Sequence, residues 1–249
     1  VLDDAAVARS AAGLVASALV FDVVETLGGL GTLVAASPVD TVAANIHGRA
    51  TGLVATCGTV ARDGTTVTAT VVADGCAIPM TDPPTVWDAP AGMTAGTATY
   101  AVTRPAAELV ISVALAGVVA HGIPLGGTVT LTTSDGVEWA LALDVDATLG
   151  TSMHLSGELT LVLSGASRAI DGDVDVRVGA ATTVVAVAGV AWGNASCYPG
   201  AGTLTFGTGD RETRGTFDAA TASTGAFAVT FGMADTAAML PAYGACPAP

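Results

Sequence analysis

The chain has 249 residues, 51% of them hydrophobic and 12% charged, with 22 acids against 8 arginines, no lysine and a net charge of −14. That much apolar content with so little charge excludes a disordered chain. Eight scattered arginines cannot form the basic stripe a nucleic-acid binder needs. The length suits one large all-β domain or two small ones, with ample room for a core.

The first expected element is a helix over residues 3–27. Asp3 or Asp4 caps it, Val7, Ala11, Leu14, Ala18 and Phe21 recur at spacings of three or four, and Gly28-Gly29 ends it. The apolar run from Ala11 to Phe21 is too short to span a bilayer. A second short helix is expected to start at Ser37, with Pro38 and Asp40 in its first turn, and to end near Asn45.

From about residue 48 the hydrophobic period changes to two. Leu53–Val60 and Thr66–Ala73 flank a turn at Arg62-Asp63-Gly64-Thr65. Residues 79–92 hold four prolines and read as a loop. Thr97–Thr103 reads as a strand, and the apolar run Leu109–Ala120 as a strand buried on both faces. Thr128–Thr133 and Val137–Val145 flank the clearest hairpin turn, Ser134-Asp135-Gly136. Leu155–Leu163 pairs with Ala169–Val178, Thr182–Trp192 continues the sheet, and Thr203–Gly207, Thr213–Phe217 and Phe227–Phe231 make a terminal meander. Ten to twelve strands at such intervals predict a mainly β fold: a large antiparallel sheet, sandwich or barrel-like body with an N-terminal helix packed on it. Residues 1–46 form the helical segment and 47–249 the β-rich body, with 195–249 as its terminal meander.

Cys57, Cys76, Cys197 and Cys246 form two sequence-local pairs, which fits two disulfides in an oxidising compartment. Three connectivities are open, and Cys57–Cys76 with Cys197–Cys246 is favoured; each would be worth roughly 3–4 kcal/mol by loop entropy. The chain begins with Val1 and carries no basic and apolar leader, so it reads as a mature product whose leader has been removed. Its two ends are expected to be packed.

Site chemistry is sparse. Asp171, Asp173 and Asp175 have the spacing of calcium-loop carboxylates but lack the central glycine and the distal bidentate glutamate, so an outward strand face is the preferred reading over a cation site. Asp144 and Asp146 are paired carboxylates with no sequence sign of the burial that acid–base catalysis requires. His47, His121 and His154 follow no metal-ligand spacing. The serines form no nucleophile elbow, and Gly28-Gly29-Leu30-Gly31 follows a helix where a phosphate loop would open one. Asn194-Ala195-Ser196 matches a glycosylation sequon. Thr66/Thr68/Thr70 and Thr128/Thr130/Thr132 could form threonine ladders, though outward threonine is ordinary in strands. No catalytic residue, metal or cofactor is expected.

The segment Asn194-Ala195-Ser196-Cys197-Tyr198-Pro199-Gly200-Ala201-Gly202-Thr203-Leu204-Thr205-Phe206, with Leu240-Pro241-Ala242-Tyr243-Gly244-Ala245-Cys246-Pro247, resembles the C-terminal part of β-rich secreted proteins and lipoproteins of myxobacteria-like, high-GC bacteria. Asp74-Gly75-Cys76-Ala77-Ile78-Pro79 is similar to their internal cysteine turn. The resemblance implies a surface or secreted location and transfers no catalytic residue. The lipidated N-terminal cysteine of the lipoprotein members has no counterpart in this sequence.

The expected function is a structural subunit of an extracellular or cell-surface assembly, a fibre or sheath whose partners are copies of the same chain. Residues 1–36 or the C-terminal meander would cross between copies. The alternative is a secreted carrier for an apolar ligand or lipid. An enzyme is not expected, nor a nucleic-acid partner, nor a transmembrane helix. An outer-membrane barrel is disfavoured by its eleven aromatic residues, too few for two girdles.

Overall fold

The computed structural model describes residues 36–54, 57–72, 93–120, 123–148, 152–164, 167–193, 196, 198–207 and 212–240. The helix expected over 3–27, the loop over 79–92 and residues 241–249 lie outside them.

Helix α1 runs Val39–Val54. The Pro38 carbonyl accepts the N–H groups of Thr41 and Val42 at 2.9 and 3.1 Å, so the helix opens where the sequence places it. It does not stop at Asn45. Val42, Ala43, Ile46, Ala50 and Val54 are all buried at helical spacing, and that apolar stripe carries the helix through Gly48 and Gly52, each of which costs about 1 kcal/mol relative to alanine. The strand expected from Leu53 therefore begins only at Gly58. Position 46, the expected end of the helical segment, falls inside α1.

Thirteen strands follow: β1 Gly58–Asp63, β2 Thr66–Val71, β3 Met93–Thr103, β4 Leu109–Ala120, β5 Ile123–Thr133, β6 Glu138–Thr148, β7 Ser152–Ser164, β8 Ser167–Val178, β9 Ala181–Gly193, β10 Ala201–Phe206, β11 Thr213–Thr216, β12 Ala226–Phe231 and β13 Ala234–Met239. They form one sheet in which spatial order equals chain order. Every adjacent pair is antiparallel. The sheet is not closed into a barrel. A four-residue helix, α2 (Thr221–Thr224), joins β11 to β12. Neither α2 nor β13 is foreseen by the sequence pattern.

Alternation decides which face is buried. Along β6 every second residue from Trp139 to Ala147 is buried and every other one is exposed. β4 obeys the same rule up to its register shift: Leu109, Ile111 and Val113 are buried while Ala114 and Ala116 are exposed, and the shift between Leu115 and Val118 turns Val118 inward. The expectation of a strand buried on both faces is thus corrected, because small alanines make a half-exposed strand read as continuously apolar. Inward residues of β2–β10 and β12 join those of α1 in a single apolar cluster. Helix α1 packs on β1, β2 and β3. It is tied there by Arg62, whose Nη2 donates to the Asp40 carbonyl at 3.1 Å, and by Arg104, whose Nη2 donates to the Ser37 carbonyl at 2.7 Å.

Gly157 and Gly172 (φ +152° and +134°) lie on facing strands β7 and β8. A Cβ on Gly157 would stand 2.4 Å from the Asp173 carbonyl oxygen, and one on Gly172 2.5 Å from that of Glu158. Only glycine lets the two backbones approach this closely.

Candidate functional site

The outer face of β6–β8 gathers most of the charged candidates. Odd and even positions sort themselves by the pleat: Leu143, Val145, Leu155, Val174 and Val176 point inward, so Asp144, Asp146, His154, Glu158, Asp173, Asp175 and Arg177 stand on the solvent side. Register then makes them neighbours. Asp146 lies directly opposite His154, which lies directly opposite Arg177; Asp144 and Asp175 both face Ser156; and Glu158 faces Asp173.

His154 is the centre of this group. Its Nδ1 is 3.0 Å from Asp146 Oδ1 and its Nε2 is 3.4 Å from Asp144 Oδ1. Only the imidazolium can donate to both carboxylates at once, since neutral imidazole has a single N–H. Both carboxylates are more than three-quarters exposed, so each contact is a solvated surface pair worth about 0–1 kcal/mol. The paired carboxylates and one of the three histidines are brought together, yet the desolvation that acid–base chemistry demands is lacking.

Asp171, Asp173 and Asp175 do not converge. Asp171 Oδ1 accepts the Gly189 N–H at 2.6 Å, pinning the bulge where the β8–β9 register shifts. Asp173 faces Glu158 and Asp175 faces Ser156. Successive outward residues on a strand are about 7 Å apart at Cα. Among the described residues no group of three or more His, Cys, Asp or Glu side chains is placed to hold a metal.

The other candidates scatter. His47 sits half-buried on α1, and His121 lies outside the described residues, as do Asn194 of the sequon and Gly28–Gly31. Cys57 is buried and is not a free thiol. Cys76, Cys197 and Cys246 lie outside the described residues. The threonines do line up: Thr70 and Thr97 hydroxyls meet at 3.1 Å across β2–β3, and Ser112 and Thr130 at 3.4 Å across β4–β5. Alanines on β3 and β4 interrupt the rows.

Two acids are committed to backbone. Asp135 accepts the N–H groups of Val137 and Glu138 at 2.8 and 3.0 Å, and Asp218 those of Ala220 and Thr221 at 2.8 and 3.0 Å. These bonds favour the carboxylate and lower both pKa values from the ordinary 3.8. Burial raises the Tyr100 hydroxyl to about 12.

One inward charge is absent from the sequence expectations. Arg168 is 1% exposed, with its guanidinium carbon 4.4 Å from the centre of the Trp192 ring, and it makes further interactions beyond that stack. The signal was parity: Arg168 shares its strand face with Ile170 and Val174. Trp139, also inward, donates Nε1–H to the Gly136 carbonyl at 3.2 Å.

No protein-family model matches the chain, and no curated protein and no solved structure matches it either. Among the described residues no helix is long and apolar enough to cross a membrane.

Proposed function

We propose that the protein is a structural subunit of an extracellular or cell-surface assembly, a fibre or sheath built from copies of itself. One observation carries this reading: the sheet is an open meander, so among the described residues β1 and β13 each pair on one side only. An open sheet edge presents unpaired N–H and C=O groups in a row and is a template for another strand.

The distribution of charge supports it. The described outward side chains of β2–β5 are threonine, serine, alanine and other uncharged residues, so a chain of net charge −14 still offers faces that do not repel a copy. The inner face is filled by large side chains such as Trp139, Leu141, Leu155 and Leu161, which favours a structural role over an apolar carrier. Secretion and the pairs Cys57–Cys76 and Cys197–Cys246 belong to the same reading, and peptide mapping without reduction tests the pairs. Sedimentation velocity across a concentration series, with negative-stain microscopy of the most concentrated sample, tests the assembly. The expected result is a mass that grows with concentration. Monomers throughout would defeat the proposal.

A further inference from the structure

We infer that β13 is the edge through which two copies meet, by antiparallel pairing of β13 with β13 of a second copy about a two-fold axis. This rests on the self-association proposed above and names one of its contacts; a two-fold pair closes on itself, so growth into a fibre needs a second contact elsewhere on the chain. Among the described residues β13 pairs only with β12.

The two edges of the sheet are not equivalent. β1 carries Arg62 and Asp63 at its turn end, and α1 packs against it, with Arg62 drawn onto Asp40. Charge is a usual protection of an edge strand, and here it also ties β1 to the helix that lies over the inner face of β1–β3. β13 reads Ala-Asp-Thr-Ala-Ala-Met and has no proline, glycine, lysine or arginine. Its one charge, Asp235, already accepts the Thr230 hydroxyl at 2.9 Å. Met233 and Met239 stand exposed at its two ends.

Strand parity selects the symmetry. Thirteen antiparallel strands make β1 and β13 run in the same direction. A copy added head to tail with its apolar face on the same side would join β13 to β1 in parallel. Two copies related by a two-fold axis normal to the sheet join β13 to β13 antiparallel, like every other pair in the sheet and slightly better per residue.

Face parity then narrows the register. Directly opposed residues must lie on the same face, so the axis passes through a residue and not between two. An axis at Asp235 would set two carboxylates against each other. An axis at Ala237 pairs Ala237 with its own copy, Thr236 with Ala238 and Asp235 with Met239, keeping all of Asp235–Met239 in the ladder. A six-residue strand is about 20 Å long and hides well under the ~800 Å² per partner of a standard interface, so the contact is weak and concentration-dependent.

Ala237 is exposed, so a charge there leaves the folded chain undisturbed. Sedimentation equilibrium of the full chain is to be run on the wild type, on Ala237→Glu, on Ala237→Lys and on an equal mixture of the two variants, with circular dichroism as the check of folding. Each variant alone should dimerise about fivefold more weakly than the wild type, because like charges meet at the axis. The mixture should recover the wild-type association, which a merely misfolded variant would not do. Association of the wild type that neither variant weakens would overturn the β13 contact and leave the assembly proposal standing. A wild type monomeric at every concentration would overturn both.

Discussion

The outer faces of β2–β5 and of β6–β8 differ in kind although they belong to one continuous sheet. The first is a neutral field of small side chains: Thr66, Thr68 and Thr70 on β2, Thr97 and Thr99 on β3, Ser112 and Ala114 on β4, Thr128 and Thr130 on β5. The second carries Asp144, Asp146, Glu158, Asp173 and Asp175 with His154 and Arg177. Behind both lies the same apolar cluster. The inner face must be apolar everywhere for the sheet to be stable, whereas the outer face is free to vary, so the division of charge is where a role in assembly would be written.

That comparison can be broken first at the core. Ile111 backs the neutral half and Leu141 the charged half, and both are 0% exposed. Ile111→Ala and Leu141→Ala should each cost about 2–5 kcal/mol in urea unfolding. Similar losses would confirm a common core; a negligible loss at either position would show that its half does not depend on the inner face.

Next come the glycines. Gly157→Ala, in the charged half, forces a Cβ to 2.4 Å from the Asp173 carbonyl and should cost roughly 2–4 kcal/mol. Gly126→Ala, in the neutral half, meets nothing closer than 3.9 Å and should shift stability by less than about 1 kcal/mol. Thermal melts of the two variants check this contrast, and equal melting temperatures would contradict it.

The pH dependence follows from Asp135, in the turn between the two halves, and Asp218. Both have pKa values lowered in the folded chain by backbone N–H donors. Their contribution is therefore fully present above the unfolded value of 3.8 and is lost as pH falls through the lower folded value. Acid titration followed by circular dichroism should show stability declining below about pH 4, with a smaller decline in Asp135→Asn than in the wild type.

The smallest effect separates the halves electrostatically. Glu158 and Asp173 are like charges directly across from each other on an exposed face. Glu158→Gln should raise stability by a few tenths of a kcal/mol at low salt, and the gain should vanish at high salt. Thr128→Ser, in the neutral half, should show no salt-dependent change in the same assay.

Much of this was legible from residue order. Period-two alternation located nearly every strand of the body, and Ser134-Asp135-Gly136 marked its hairpin because the Asp135 carboxylate caps the following amides. α1 was placed correctly at Pro38 but too short, since its C-terminal turns are held by Ala50 and Val54 against the sheet and not by propensity. β13 escaped because Ala, Asp and Met carry little strand preference and its pairing with β12 supplies the order. The threonine alternation was visible, and so were the acid pairs. What was not visible was that Asp144 and Asp146 share His154, ten and eight residues away along the chain.

The sequence by itself determined where most strands lie and, outside β4 and β13, which side chains share a face, because the pleat turns every second side chain the same way. Tertiary structure alone decided the lateral neighbours, the openness of the sheet and the inequality of its edges. Those depend on register and strand order, which arise only when strands distant in sequence exchange backbone hydrogen bonds.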